Sequence, residues 1–168
     1  SLDGVVPLAA RFDTVGPLCR SVSDAALCLA ALTGETPVDL AGSRLDGVRL
    51  AALQTIVMDD LRDVPARAYA QALGQLREAG AEIVDLEVPA ITGPMGDAGV
   101  LYTTEAWGTW GDTISANPDA MFTPIRERFE SGKTASGADY VAAWLRLDQA
   151  RKDWAAATAG FDAVLCPS

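Results

Sequence analysis

Histidine is absent from the sequence. That absence removes Ser-His-Asp and Cys-His catalysis from these residues and leaves carboxylates as the only ligands suited to a hard metal ion. Lysine is nearly as scarce, with Lys133 and Lys152 alone. The three cysteines, Cys19, Cys28 and Cys166, make no C-x-x-C pair, and their odd number argues against a disulfide framework or a zinc knuckle. Each lies among apolar neighbours, so buried structural thiols in a reducing compartment are expected. No apolar run approaches the ~20 residues of a membrane helix, Ala25 to Leu32 being among the longest, and no signal peptide is evident. A cytoplasmic location without a membrane partner is the expectation. Positive charge is also short. Thirteen basic residues against 23 acidic ones leave a formal net charge of −10, which repels phosphate backbones, so no direct nucleic-acid binding is expected.

What the chain has is apolar bulk. Its 168 residues are 49% hydrophobic, enough for one domain with a sizeable core. It opens at Ser1 in strand-like sequence and stops at "AVLCPS" in mid-pattern, as a piece of a longer protein would. Along the chain, "DGVVPLAA" reads as a short extended segment with Pro7 at its edge. In "CRSVSDAALCLAALTG", Ser21 caps a helix over Val22 to Thr33, Asp24 returns the bond, and Gly34 supplies the left-handed stop. Val22, Ala26, Leu29 and Leu32 recur near helical spacing and are expected in the core. "GVRLAAL", Gly47 to Leu53, reads as a buried strand. A helix opened by Asp63 and Pro65 places Tyr69, Leu73 and Leu76 on one face and closes at Gly80; "AEIVDLEVP" then alternates as a strand does. Strand, helix and strand make a βαβ unit with parallel strands. Helices follow near Ala98 to Trp110, over Thr123 to Glu130, and in a long segment opened by a Ser136/Asp139 capping box. Phe161 to Pro167 reads as a final strand. The expected class is α/β.

Without histidine, chemistry would need an acid pair, a lysine or an activated serine. Lys133 lies in "ESGKTASG", which lacks the first glycine of G-x-x-x-x-G-K-S/T and follows no strand. Lys152 belongs to a solvated helix face. The acids of "MDDLRD", Asp59, Asp60 and Asp63, fit no EF-hand spacing and read as a solvated loop, so no metal and no cofactor are expected. Asp97 and Glu105 read as surface or cap residues. The aromatic run "YTTEAWGTW" suits either a pocket wall, with Gly108 admitting another backbone, or plain core.

"RFDTVGPLCRSVSDAALCLAALTG" resembles the segment that follows the signature region in amidase signature enzymes, where Leu/Phe-Asp-Thr-x-Gly-Pro-Leu/Met-x-Arg-Ser/Thr-Val-x-Asp-Ala-Ala leads into a helix. Phe12, Asp13, Thr14, Gly16, Pro17, Arg20, Val22, Asp24, Ala25 and Ala26 match it. "GVRLAAL", "ALGQLREAGAEIVDLEVP", "TTEAWG" and the last thirty residues resemble later segments of the family in the same order. The resemblance implies part of a mixed β-sheet flanked by helices, with one βαβ unit and a helical elaboration, residues 1–168 being the middle-to-C-terminal portion of a longer amidase signature domain. It implies amide hydrolysis by a Ser-Ser-Lys triad with an oxyanion hole in a Gly/Ser-rich stretch. This chain has no such stretch, so the triad would lie upstream, no catalytic residue falls here, and the segment alone should be inert. Asp13, Thr14 and Gly16 become a stiff active-site floor, Tyr102, Thr103 and Trp107 pocket walls. The implied partner is a small-molecule amide, and a homodimer stays open. Members resembling the A-type chain of glutamyl-tRNA amidotransferase carry a Tyr pair ahead of the Glu-Ala step, where this chain has Ala98 and Gly99. That turns the expectation toward a general amidase; the alternatives are the amidotransferase chain and a noncatalytic amidase-like interaction domain.

Overall fold

Short-range signals dominate the first of two units, Ser1–Ser43, and long-range strand pairing the second, Arg44–Ser168; the computed structural model describes residues 2–168. In the first unit Ser21, extended at φ −139°, accepts the Asp24 N–H at 3.1 Å, and helix α1 runs Val22–Thr33. Gly34 ends it in the left-handed region at φ 75°, its N–H reaching the Ala30 carbonyl at 2.8 Å. These bounds agree with the sequence reading.

Two expectations for this unit fail. The extended segment at "DGVVPLAA" forms no strand: Asp3 and Gly4 make a turn that puts the Val5 N–H on the Leu2 carbonyl at 3.0 Å, Val5 to Pro7 are irregular, and a bend follows. A strand needs a neighbour to satisfy its backbone groups, and no described strand pairs with it. The apolar stripe of α1 is not core either: Val22, Leu29 and Leu32 are exposed, Ala26 is half-buried, and among the described residues of this unit only Ala9 and Ala30 are buried. A unit this short cannot build a core by itself. Cys19 and Cys28 are therefore exposed, as is Cys166, and the expectation of buried thiols is overturned.

The second unit is built on three strands, β1 (Arg49–Leu53), β2 (Glu82–Leu86) and β3 (Ala163–Leu165), in the order β2-β1-β3. Both pairings are parallel, Leu50 standing opposite Ile83 on one side and Ala163 on the other. Helix α2 (Asp63–Glu78) joins β1 to β2, completing the βαβ unit. The central strand carries the continuous apolar run, and Leu50, Ala51, Ala52 and Leu53 are all buried. Between α2 and β2, Gly80 takes φ 104°, where a Cβ would lie 2.7 Å from Asp46 Oδ1. At the same end of β1, the Arg49 N–H donates to Asp162 Oδ2 at 2.7 Å and the guanidinium lies 4.5 Å from the Phe161 ring centroid, which aligns the approach to β3.

Helix α3 spans Thr92–Ala116, well beyond the expected Ala98 to Trp110. Gly93, Gly96 and Gly99 weaken the helical signal of its first turns, and Pro94 is tolerated there because first-turn N–H groups have no intrahelical acceptor. Helix α4 (Thr123–Glu130) falls where the sequence places it. Helix α5 (Gly137–Thr158) starts at a complete capping box: Ser136 Oγ accepts the Asp139 N–H at 3.1 Å while the Ser136 N–H donates to Asp139 Oδ2 at 3.1 Å. Hydrogen bonds from the Ser136 side chain and then its backbone hold the Asp139 carboxyl below the ordinary value. Helices α3 and α5 pack on each other, and Leu101, Ala106 and Ile114 of α3 and Ala143 and Ala150 of α5 are buried. No helix among the described residues is long and apolar enough to cross a membrane.

Candidate functional site

The residues expected to form an active-site floor lie in the first unit and are held by local hydrogen bonds. Asp13 Oδ2 accepts the Leu8 N–H at 2.8 Å and Oδ1 accepts the Ala9 N–H at 3.2 Å, while the Asp13 N–H returns to the Ala9 carbonyl at 2.9 Å. Both carboxylate oxygens thus clamp the loop ahead of them, as charge-assisted bonds do well. Thr14 and Gly16 are exposed. A Cβ at Gly16 would meet no atom, and its backbone is outside the left-handed region, so nothing described in this unit requires glycine there.

The expected pocket walls lie on α3 in the second unit. Tyr102 is 40% exposed; Thr103 and Trp107, one turn apart, are half-buried and face a short turn of 3₁₀-helix at Ser131–Thr134. Gly132 of that turn is buried against the Thr103 carbonyl, and a Cβ there would also stand 2.8 Å from the Trp107 Cβ. The indole lies over Gly111, whose added Cβ would be 2.7 Å from a ring carbon, and Lys133 Nζ sits 4.3 Å from the ring centroid and 3.2 Å from Glu130 Oε1. The structure therefore brings Thr103 and Trp107 together and leaves Tyr102 on another face. Lys133, from the glycine-containing loop that lacks a phosphate-binding pattern, covers the tryptophan. Gly108, read as the point of close approach, has open space where a Cβ would go; Gly111 and Gly132 take that part instead.

Two acids of α3 turn out to be ties to α5. Tyr140 Oη donates to Glu105 Oε1 at 2.7 Å, with Tyr140 edge-on to Trp144 at 6.3 Å between centroids. Arg146 makes a two-pronged contact with Asp97 at 2.6 and 2.9 Å, which holds the Asp97 carboxyl below its ordinary value. Single-sequence patterns carry no signal for partners this far apart in the chain. Tyr140→Phe should lower stability by about 1–3 kcal/mol, because a part-buried carboxylate loses a donor. Urea unfolding of the two proteins measures it, and equal midpoints would mean that the bond adds no net stability.

Ligands of parallel sheets gather beyond the carboxyl ends of the strands. Here that edge carries Gln54, whose Nε2 donates to Asp85 Oδ1 at 3.1 Å, and Thr55, whose Oγ1 accepts the Val88 N–H at 2.6 Å. Tyr69 Oη donates to the Leu165 carbonyl at 3.0 Å; burial, then the charges of Cys166 and Asp85, push its phenol up. An open hollow of about 620 Å³ lies at the start of α2, lined by Arg62, Asp63, Val64 and Pro65, and none of the residues singled out as pocket walls lines it. No three Cys, Asp or Glu side chains among the described residues converge as metal ligands would.

Comparison with known proteins gives this arrangement a family. The chain is 26% identical over 203 residues to the A-type chain of a glutamyl-tRNA(Gln) amidotransferase from Synechococcus sp. (strain CC9311), a match covering 98% of this chain and 42% of that protein. It is 32% identical over 117 residues to the corresponding amidotransferase chain of Chlorobium phaeobacteroides (strain DSM 266 / SMG 266 / 2430), covering 61% of this chain and 25% of that one. In structure it is similar to a crystal structure of an amidase, with a TM-score of 0.85 and 25% identity over 98% of this chain, corresponding to 37% of the amidase. The chain thus spans less than half of each of these relatives. A family model described as Amidase matches residues 1–168, and the chain belongs to the amidase family.

Proposed function

We propose that these residues are the supporting portion of an amide hydrolase whose nucleophilic serine, bridging serine and lysine lie in an upstream segment. The observation that carries this reading is the family match over residues 1–168 of a chain that has neither a Gly/Ser-rich stretch nor a histidine. In the proposed reaction the serine attacks the amide carbonyl, the second serine passes its proton to the lysine, ammonia or an amine departs, and water releases the acid. None of those groups is assigned to a residue of this chain. Its part is to support: the Asp13 clamp stiffens the loop ahead of α1, and the face of α3 around Tyr102 shapes the end of the pocket that receives the substrate. A small aliphatic or aryl amide is the proposed substrate class.

A second reading, the A-type chain of an amidotransferase, is favoured by the relatives that carry that name. The two separate by assay. The 168-residue chain alone should release no ammonia from an aryl or a small aliphatic amide, whereas the same chain joined to a Gly/Ser-rich upstream segment of the family should release it from both. Ammonia from glutamine alone would favour the amidotransferase reading, and turnover by the isolated chain would place the nucleophile here and overturn the proposal. In the joined protein, Tyr102→Ala should change the ratio of kcat/KM for aryl and aliphatic amides several-fold, more than it changes stability. An unchanged ratio would remove Tyr102 from the pocket.

A further inference from the structure

Cys19 and Cys28 are nine positions apart in the sequence and follow no redox motif. The cap at Ser21 folds the incoming chain back along α1, so that Cys19, two residues before the cap, meets Cys28 in the second turn of the helix. Their Sγ atoms are 3.9 Å apart, with the Cys19 thiol donating to the Cys28 sulfur, and both residues are exposed. A disulfide needs about 2.05 Å between sulfurs. Cys28 is held by the helix while Cys19 sits on the loop, so the remaining gap of roughly 2 Å is closed by adjusting the loop side chain.

We infer that Cys19 and Cys28 form a dithiol site that a glutathione-type disulfide oxidises to an intramolecular disulfide. In the first step the Cys28 thiolate attacks one sulfur of the small disulfide; a new S–S bond forms, the old one breaks, and one small thiolate leaves. In the second, Cys19 gives its proton to solvent, attacks the Cys28 sulfur and expels the other small thiolate. The protein loses two electrons and two protons, and one small disulfide becomes two thiols. Partial desolvation first, then the hydrogen bond and charge of Cys28, and lastly the charge of Asp24 push the Cys19 thiol up, which agrees with Cys19 as hydrogen-bond donor and second attacker. Closing the bond ties the Gly16-Pro17 entrance to the body of α1. Cys166, in the other unit, serves as the internal reference.

The experiment is to treat the chain with glutathione disulfide, block free thiols, and map the tryptic peptides without reduction. The expected product joins Phe12–Arg20 to Ser21–Arg44 within one chain, leaves Cys166 outside the bond, and is undone by dithiothreitol. In Cys19→Ser, Cys28 should keep a glutathione adduct, because the thiol that would displace it is gone; both sites are exposed, so the serine variants fold as the parent does. Glutathione adducts persisting on both cysteines of the parent protein, a bond formed only between chains, or modification of Cys19 and Cys28 no faster than Cys166 would each overturn the inference.

Discussion

Gly132→Ala is expected to lower the unfolding free energy by about 3 kcal/mol or more. Gly132 does not sit in the left-handed region, so the demand for glycine there is one of space and not of backbone conformation. The added Cβ would press on the Thr103 carbonyl, standing 2.6 Å from its carbon and 2.8 Å from the Trp107 Cβ, and backbone of a packed helix cannot swing aside as the end of a long side chain does. The 131–134 turn would have to lift off α3, carrying Lys133 away from the indole. Gly108→Ala on the same helix is the control: a Cβ there meets nothing within 4 Å, and helix propensity predicts a gain of about 0.5–1 kcal/mol. Urea midpoints of the two variants should therefore move in opposite directions from the parent. Similar midpoints would mean that the turn does not pack on α3 as the structure has it.

Leu101→Ala is expected to cost about 2–5 kcal/mol, from lost apolar burial and from a cavity whose surroundings relax only in part. Leu101 is 1% exposed and is the largest fully buried side chain among the described residues. Leu145 on α5 makes the contrast: it is 66% exposed, and its replacement by alanine should shift stability by less than about 0.5 kcal/mol. The urea midpoint with an unchanged slope reads both effects. Equal midpoints for the two variants would contradict the full burial of Leu101.

These two sites differ in how far the sequence announces them. Leucine in the helical segment near "YTTEAWGTW" is an ordinary core expectation. Gly132 sits in "ESGKTASG", a stretch that lacks the first glycine of a phosphate loop; its actual work, admitting the Thr103 carbonyl, depends on a helix far earlier in the chain. The same holds for the tie between Glu105 and Tyr140 and for that between Asp97 and Arg146. Among the residues named as floor and walls, Asp13 shows a local clamp whose partners are within five residues, whereas the environment of Trp107 is supplied by Gly111, Gly132 and Lys133 together.

By itself the sequence determined what short range decides. The caps at Ser21 and Ser136, the stop at Gly34, the bounds of α1 and α4, the buried run of β1 and the parallel βαβ unit follow from hydrogen bonds and periodicities within a few turns, and family membership was legible in the order of those segments. Only the tertiary structure decided which apolar faces find a partner. The stripe of α1 has helical spacing and yet stays exposed, "DGVVPLAA" has strand composition and yet joins no described sheet, and the thiols expected in a core lie open with two of them 3.9 Å apart. Burial and pairing are properties of two surfaces meeting, and a pattern within one segment describes only one of them.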